Sequence, residues 1–277
     1  MIQARFSAVL LGAVVVLGGC QAGDQDMLAR IEENGVIRVA TDPAYPPQSE
    51  LLPDGTFEGF DISVANEIAE RLGVTVEFVT PDFAEVEAGG WADRWDISVG
   101  SMTVTAVREE VLDFTQAYYY TPAQMGATTE SGITDLAGLS GQTVCTGEST
   151  TYQFWLEGTL ELAGGAPEPS DPPEDVTVTT FGTDTECADA VEAGRTEFQA
   201  WLTAGPTLDG VIADGVGFVP VGDPVFFEPL AIAIDKESPE HAELLAEIDR
   251  IIAEMHDDGT LSALSEEWFG TDLTVTE

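Results

Sequence analysis

Val36-Ile37-Arg38-Val39-Ala40, the run from Asp61 to Leu72, and Val74-Thr75-Val76-Glu77-Phe78-Val79 together decide the fold class. The first and last are short and rich in β-branched residues, which predicts strands. Between them Ile62, Ala65, Ile68, Ala69 and Leu72 fall on one face of a helix, with Asp61 as the expected cap and Gly73 as the stop. A strand, a helix and a strand in this order form a βαβ unit. Such a unit implies a parallel sheet covered by helices, and so the α/β class.

Downstream the pattern recurs. Asp96 to Gly100 predicts a strand that ends in a Ser/Thr-rich loop. Val144 to Thr146 predicts another, with a helical stretch from Tyr152, a Pro- and acid-rich loop from Pro167 to Asp175, a strand from Val176 to Phe181 and a short helix from Cys187 to Ala193. Ser238-Pro239 reads as cap and first residue of a late helix, whose face of Leu244, Leu245, Ile248, Ile251, Ile252 and Met255 suits core packing. Asp258-Gly259 closes it. The sequence contains no internal repeat, no Gly-rich phosphate loop and no paired Cys/His metal spacing, so neither a metal nor a cofactor is expected. His241 and His256 stand near the two ends of the late helix, far from any acid–nucleophile grouping, and no catalytic residue is assigned.

Upstream of the first strand lies an address. Arg5 supplies a positive start, and Ala8 to Leu17 is an apolar run too short to span a bilayer, which takes about 20 residues. It ends in Leu17-Gly18-Gly19-Cys20, which resembles a bacterial lipobox. That resemblance implies a signal peptide over 1–19, lipidation of Cys20 and a short polar tether over 20–29. The remaining length suffices for two domains. Removing Cys20 from the three cysteines leaves Cys145 and Cys187, one possible disulfide in an oxidising compartment or two buried thiols.

Acidic residues number 51 against nine lysines and arginines, a net charge of −42. Such a surface repels nucleic acid and anionic lipid, so the only expected membrane contact is through the anchor. It otherwise reads as a solvated acidic face, as in proteins of salty habitats. Lys236 is the sole lysine, which makes each arginine worth placing.

One stretch carries chemistry. Asp96-Ile97-Ser98-Val99-Gly100-Ser101-Met102-Thr103-Val104-Thr105-Ala106-Val107-Arg108 precedes Asp113-Phe114-Thr115-Gln116-Ala117-Tyr118-Tyr119-Tyr120. An α/β sheet presents ligands at the carboxyl ends of its strands. Ser101 and Thr103 read as just past such an end, and Arg108 as the start of a helix. Hydroxyls, free N–H groups and one guanidinium make a cradle for an anion, and the guanidinium fork matches a carboxylate with two hydrogen bonds. Trp91 and Trp95 flank Arg94 and read as packing.

This stretch is similar to the family 3 bacterial extracellular solute-binding proteins, the polar amino-acid binders of ABC importers. Four further segments carry the likeness in the family's order: Gly35 to Pro47, Gly59-Phe60-Asp61, Leu139-Ser140-Gly141 before Val144, and Glu228-Pro229-Leu230-Ala231-Ile232-Ala233. The resemblance implies a two-lobed periplasmic-binding-protein fold of type II. One lobe would span 30–121 plus 230–277, the other 122–229, with hinge crossings near Tyr118 to Gln124 and Phe226 to Ala231. It also implies roles. Arg108 would clamp a ligand carboxylate with help from Thr103 and Ser101. Tyr45 and Phe83 would sandwich the ligand's side chain, and Asp42 would reach its polar end. Thr150 and Thr151 would line the second lobe's loop. Cys145 and Cys187 would both fall in that lobe.

Two positions depart from the family. Gly194-Arg195 begins its pattern correctly, but Leu202 stands where an aspartate would meet the ligand's ammonium, and Ser149 stands where its loop has glycine. Either Glu148 or Asp184 takes over, the register shifts, or the ligand lacks an ammonium at that point. Restoring the acid by Leu202→Asp is expected to raise affinity for α-amino acids. The expectation is a monomeric extracytoplasmic lipoprotein that binds an amino acid or related carboxylate by lobe closure and hands it to an ABC permease. The alternatives are a cyclohexadienyl-dehydratase-like enzyme and a sensory ligand-binding domain.

Overall fold

A computed structural model describes residues 26–275 apart from Gly164 and Thr196. The leader and Cys20, with the expected lipidation, lie outside the described residues.

The chain opens with α1 (Met27–Asn34), β1 (Val36–Ala40), β2 (Ala44–Tyr45), β3 (Ser49–Leu51), β4 (Phe57–Glu58), α2 (Phe60–Leu72), β5 (Thr75–Val79) and α3 (Phe83–Glu87). It continues through β6 (Ile97–Thr103), β7 (Leu112–Thr128), β8 (Thr143–Gly147), α4 (Thr151–Leu156), β9 (Thr177–Phe181) and α5 (Glu186–Glu192). It closes with β10 (Ala200–Ala204), α6 (Gly205–Ala213), β11 (Phe218–Asp235), α7 (Ala242–Asp257) and α8 (Thr260–Phe269).

The large sheet has the order β5-β1-β6-β11-β7-β10-β8-β9. β1 lies parallel to both β5 and β6, as the βαβ reading requires. On the far side β8 lies parallel to β10 and β9. The two parallel halves are joined by β7 and β11, long antiparallel partners whose register runs from Phe218↔Thr128 to Asp235↔Leu112. That register breaks between Val221 and Phe226 and again near Leu230 and Ala231. The architecture is the two-lobed type II arrangement.

Each half has its own interior. In the first, Ile37, Phe60 and Ile68 meet Ile248, Ile251 and Met255 of α7. On the opposite face Trp91 and Trp95 pack at 5.4 Å between ring centroids, as expected, and the Trp91 indole N–H donates to Val86 O at 2.9 Å. The arginines are partly explained here. Arg30 and Arg38 both bind the buried Asp96 carboxylate, at 2.9 Å and 2.6 Å.

Several expectations need correction. Asp61 does not cap α2. Gly59 holds that place at φ 128°, where a Cβ would fall 2.3 Å from Gln48 O, so only glycine fits. Asp61 instead turns inward and is fully buried. The late helix starts at Ala242, not Ser238, because residues 236–240 run through turns. Ser238 N–H donates to Asp235 O at 3.0 Å, and Glu240, at φ 47°, offers its carbonyl to Met27 N–H at 3.2 Å. β6 does not stop at Gly100, because Met102 and Thr103 pair with Ala231 and Leu230 of β11. Arg108 opens only a single 3₁₀ turn, Arg108–Glu110.

Candidate functional site

The loops at the carboxyl ends of β1 and β6 face those after β8 and β9 across a cavity of about 50 Å³. One water needs roughly 10–15 Å³ on that scale, so the space suits a small solute. Asp42, Tyr45, Phe83, Ser101, Thr103 and Arg108 line it from the first half of the sheet. Thr150 and Thr151 line it from the second. Glu148, Tyr152, Asp184 and Glu228 share the wall.

Arg108 is 1% exposed. Its Nη1 donates to Thr103 O at 3.0 Å in its own half, and its Nη2 donates to Ser149 O at 2.9 Å in the other. Glu87 Oε2 lies 3.6 Å from Nη2, and the guanidinium centres 5.2 Å over the Phe83 ring. Among the described residues Nε finds no hydrogen-bond partner. Burial lowers the pKa of Arg108, while Glu87 and Glu228 oppose that by their charge. Burial also raises the pKa of Glu87.

Ser149 has φ 62°, a left-handed backbone that serine adopts at a cost of about 1–2 kcal/mol and glycine adopts freely. This accounts physically for the glycine that the loop carries in the resembling family. Thr150 caps α4 by accepting from Gln153 N–H at 3.3 Å, and it also faces the cavity. Asp42 Oδ1 accepts from Ala44 N–H at 2.8 Å, so it shapes its own turn as well as the wall. Burial raises its pKa.

Two further carboxyls lie at or just behind the wall. Asp61 accepts from the Ser101 hydroxyl and the Tyr118 hydroxyl, both at 2.7 Å, and burial lifts its pKa to about 7. Asp184 accepts from Gly147 N–H at 3.0 Å, from the Trp201 indole at 3.2 Å and from the Thr203 hydroxyl; burial lifts it also to about 7.

Glu228 was missed as a site residue. It is 2% exposed and lies on β11 where the two halves meet. Oε1 accepts from the Thr103 hydroxyl at 2.7 Å and from that of Thr151. Oε2 accepts from Tyr152 OH at 2.8 Å and from Thr121 at 3.3 Å. A signal existed: one acid stands inside the otherwise apolar run Phe226 to Ile234, and an acid is rarely buried unless it has partners. Leu202, by contrast, does not face the cavity. It is fully buried in the apolar interior of the second half, with its carbonyl taking the Thr146 hydroxyl at 3.2 Å.

Cys145 and Cys187 are bridged, tying β8 to α5. Among the described residues no helix is long and apolar enough to cross a membrane.

The family model for bacterial extracellular solute-binding proteins, family 3, matches residues 37–271. L-cystine-binding protein TcyJ of Escherichia coli (strain K12) is 26% identical over 274 residues, covering 98% of this chain and 97% of the relative. The L-arginine-binding protein of Pseudomonas aeruginosa is 25% identical over 256 residues, covering 86% and 89%. Among solved structures, an ancestral arginine-binding protein bound to arginine is 27% identical, with a TM-score of 0.72 over 85% of this chain and 99% of its own. An ancestral amino acid-binding protein, a precursor of cyclohexadienyl dehydratase, is 27% identical with a TM-score of 0.73, covering 87% and 99%. The chain belongs to the bacterial extracellular solute-binding proteins of family 3.

Proposed function

We propose that the chain is the ligand-binding component of an ABC importer and traps an amino acid between two lobes. The observation that carries the reading is Arg108, a buried guanidinium on the cavity wall that is bonded from both halves of the sheet. Its fork suits a carboxylate, and a buried site strengthens the pairing. Tyr45 and Phe83 supply apolar faces for the side chain of the solute, and Asp42 an acceptor. The relatives named for cystine and arginine support an amino acid as the ligand.

The lobes on this reading are 30–121 plus 230–277 and 122–229, and they swing about β7 and β11. Closure shifts a population toward the state that holds the solute, so affinity depends on the difference between closed and open forms. The closed rims already have partners. Ala106 N–H donates to Glu161 O at 3.1 Å, and the Thr185 hydroxyl to Ala44 O at 2.6 Å. The chain acts as a monomer, delivers its cargo to a permease and is held at the membrane by a lipid on Cys20.

A calorimetric and thermal-shift screen over the common amino acids, amines and carboxylates tests the reading. At least one amino acid should bind and be recovered unchanged. Failure of every amino acid would end it. The ancestral relative that precedes a dehydratase favours one second reading, an enzyme on the same fold. Turnover of prephenate or arogenate by the purified protein would establish that alternative.

A further inference from the structure

The hydrogen-bond inventory of the cavity leads to the group that recognises an ammonium. A hydroxyl has one proton to give. Thr103, Thr151 and Tyr152 all give theirs to Glu228. Tyr45 OH lies 3.2 Å from Tyr152 OH, whose proton is already committed, so Tyr45 is the donor there. Ser101 donates to Asp61, and Thr150 to Gly147 O at 2.8 Å. These six hydroxyls therefore turn oxygen lone pairs, not protons, toward the solute. Arg108 is the single cation among the described residues of the wall.

We propose that Glu228 is the negative charge that serves the ligand's ammonium group, acting through the hydroxyl oxygens of Thr103, Thr151 and Tyr152. The assignment rests on the amino-acid reading of the cavity. Glu228 accepts four hydrogen bonds, which fills the lone pairs of a carboxylate, so it is a positioning residue that polarises its donors. A hydroxyl that donates to an anion becomes a better acceptor, and an ammonium supplies the N–H groups to match.

The other acids serve less well. The Asp184 oxygens are held by Gly147, Trp201 and Thr203 of their own half. Glu148 is exposed, and Asp42 is drawn into the turn at Ala44. Among the described residues only Glu228 draws hydroxyls from both sides of the cavity, Thr103 from β6 and Thr151 from the first turn of α4.

The test compares an amino acid with the same molecule lacking its α-ammonium. The pair is taken from the strongest binder in the screen, for example L-arginine with 5-guanidinopentanoate or L-glutamine with glutaramate. Glu228→Gln should weaken the amino acid by about ten- to a hundredfold and leave the desamino acid within about threefold, so the preference collapses. Thr151→Val should move the ratio in the same direction and Thr151→Ser should preserve it, which carries the test if Glu228→Gln does not fold. Equal weakening of both molecules, or a collapse produced by Asp184→Asn instead, would overturn the assignment while leaving the amino-acid reading intact. Absence of amino-acid binding by the unaltered protein would remove both.

Discussion

The half of the sheet built on β1, β5 and β6 and the half built on β8, β9 and β10 hold their shape by different means. The first rests on long helices. α2 and α7 lay Phe60, Ile68, Ile248 and Ile251 over the strands, and Phe60, Tyr118, Tyr119 and Phe269 pack ring to ring with centroids 4.7–5.9 Å apart. The second is covered by the short helices α4, α5 and α6, and its largest apolar cluster is smaller than that of the first. It adds the covalent link from Cys145 to Cys187. A small core gains less from burial, and a cross-link that removes freedom from the unfolded chain offsets the difference. On the proposed lobe closure, relative motion would concentrate in β7 and β11, which join the two halves.

Arg108 is the cation bonded from both halves, and its loss gives the largest effect. Arg108→Ala should lower amino-acid affinity by about two to three orders of magnitude. Circular dichroism should stay native, and unchanged calorimetric affinity would refute the clamp. Replacing both cysteines by alanine strikes the second half alone. The bridge spans a sequence separation of 42 residues, and the chain-entropy relation gives a loss of about 4 kcal/mol. Denaturant titration should detect it, with amide exchange quickened around β8 and α5 and not around β1. Equal loosening of both halves would erase the distinction.

Leu202→Asp sharpens the contrast further. The sequence alone suggested that this change restores an ammonium partner. Because the side chain is buried among apolar neighbours, it should instead cost about 3 kcal/mol or more with no gain in affinity. Tighter binding would show that the strand can slide in register.

The smallest effect, read as a slope per pH unit, belongs to a buried acid of the first half. The Asp61 pKa rises from 3.8 to about 7 through burial. Between those values the folded protein holds more protons than the unfolded chain. Asp61 therefore makes stability fall as pH rises across that window, by at most about 1.4 kcal/mol per pH unit, and adds no slope above it. Asp61→Asn should remove this contribution and leave that of Asp184 in the second half. Unfolding curves at several pH values in the window check it, and an unaltered slope would mean that Asp61 is charged throughout the folded state.

Side chains whose role is set by their own segment were readable in advance. The β-branched run around Val39, the helical stripe ending at Leu72 and the glycine after it required only local pattern. Ser101, Thr103 and Arg108 drew attention as hydroxyls and a guanidinium near a strand end, but their roles, like those of the aromatic, acidic and other threonine positions, came through family likeness. Glu228 and Asp184 were harder. Nothing near Glu228 in the chain reveals that Thr103 and Thr151, more than 70 residues away, donate to it.

The sequence by itself determined an α/β chain with an arginine near a strand end, two cysteines able to pair, and a strongly acidic surface. These depend on residue type and short-range spacing. The tertiary structure decided which side chains lie at the cavity and which lie behind it. Glu228 and Asp61 turn inward and Leu202 vanishes into a core, because strands distant in the chain meet there and burial assigns each side chain its face.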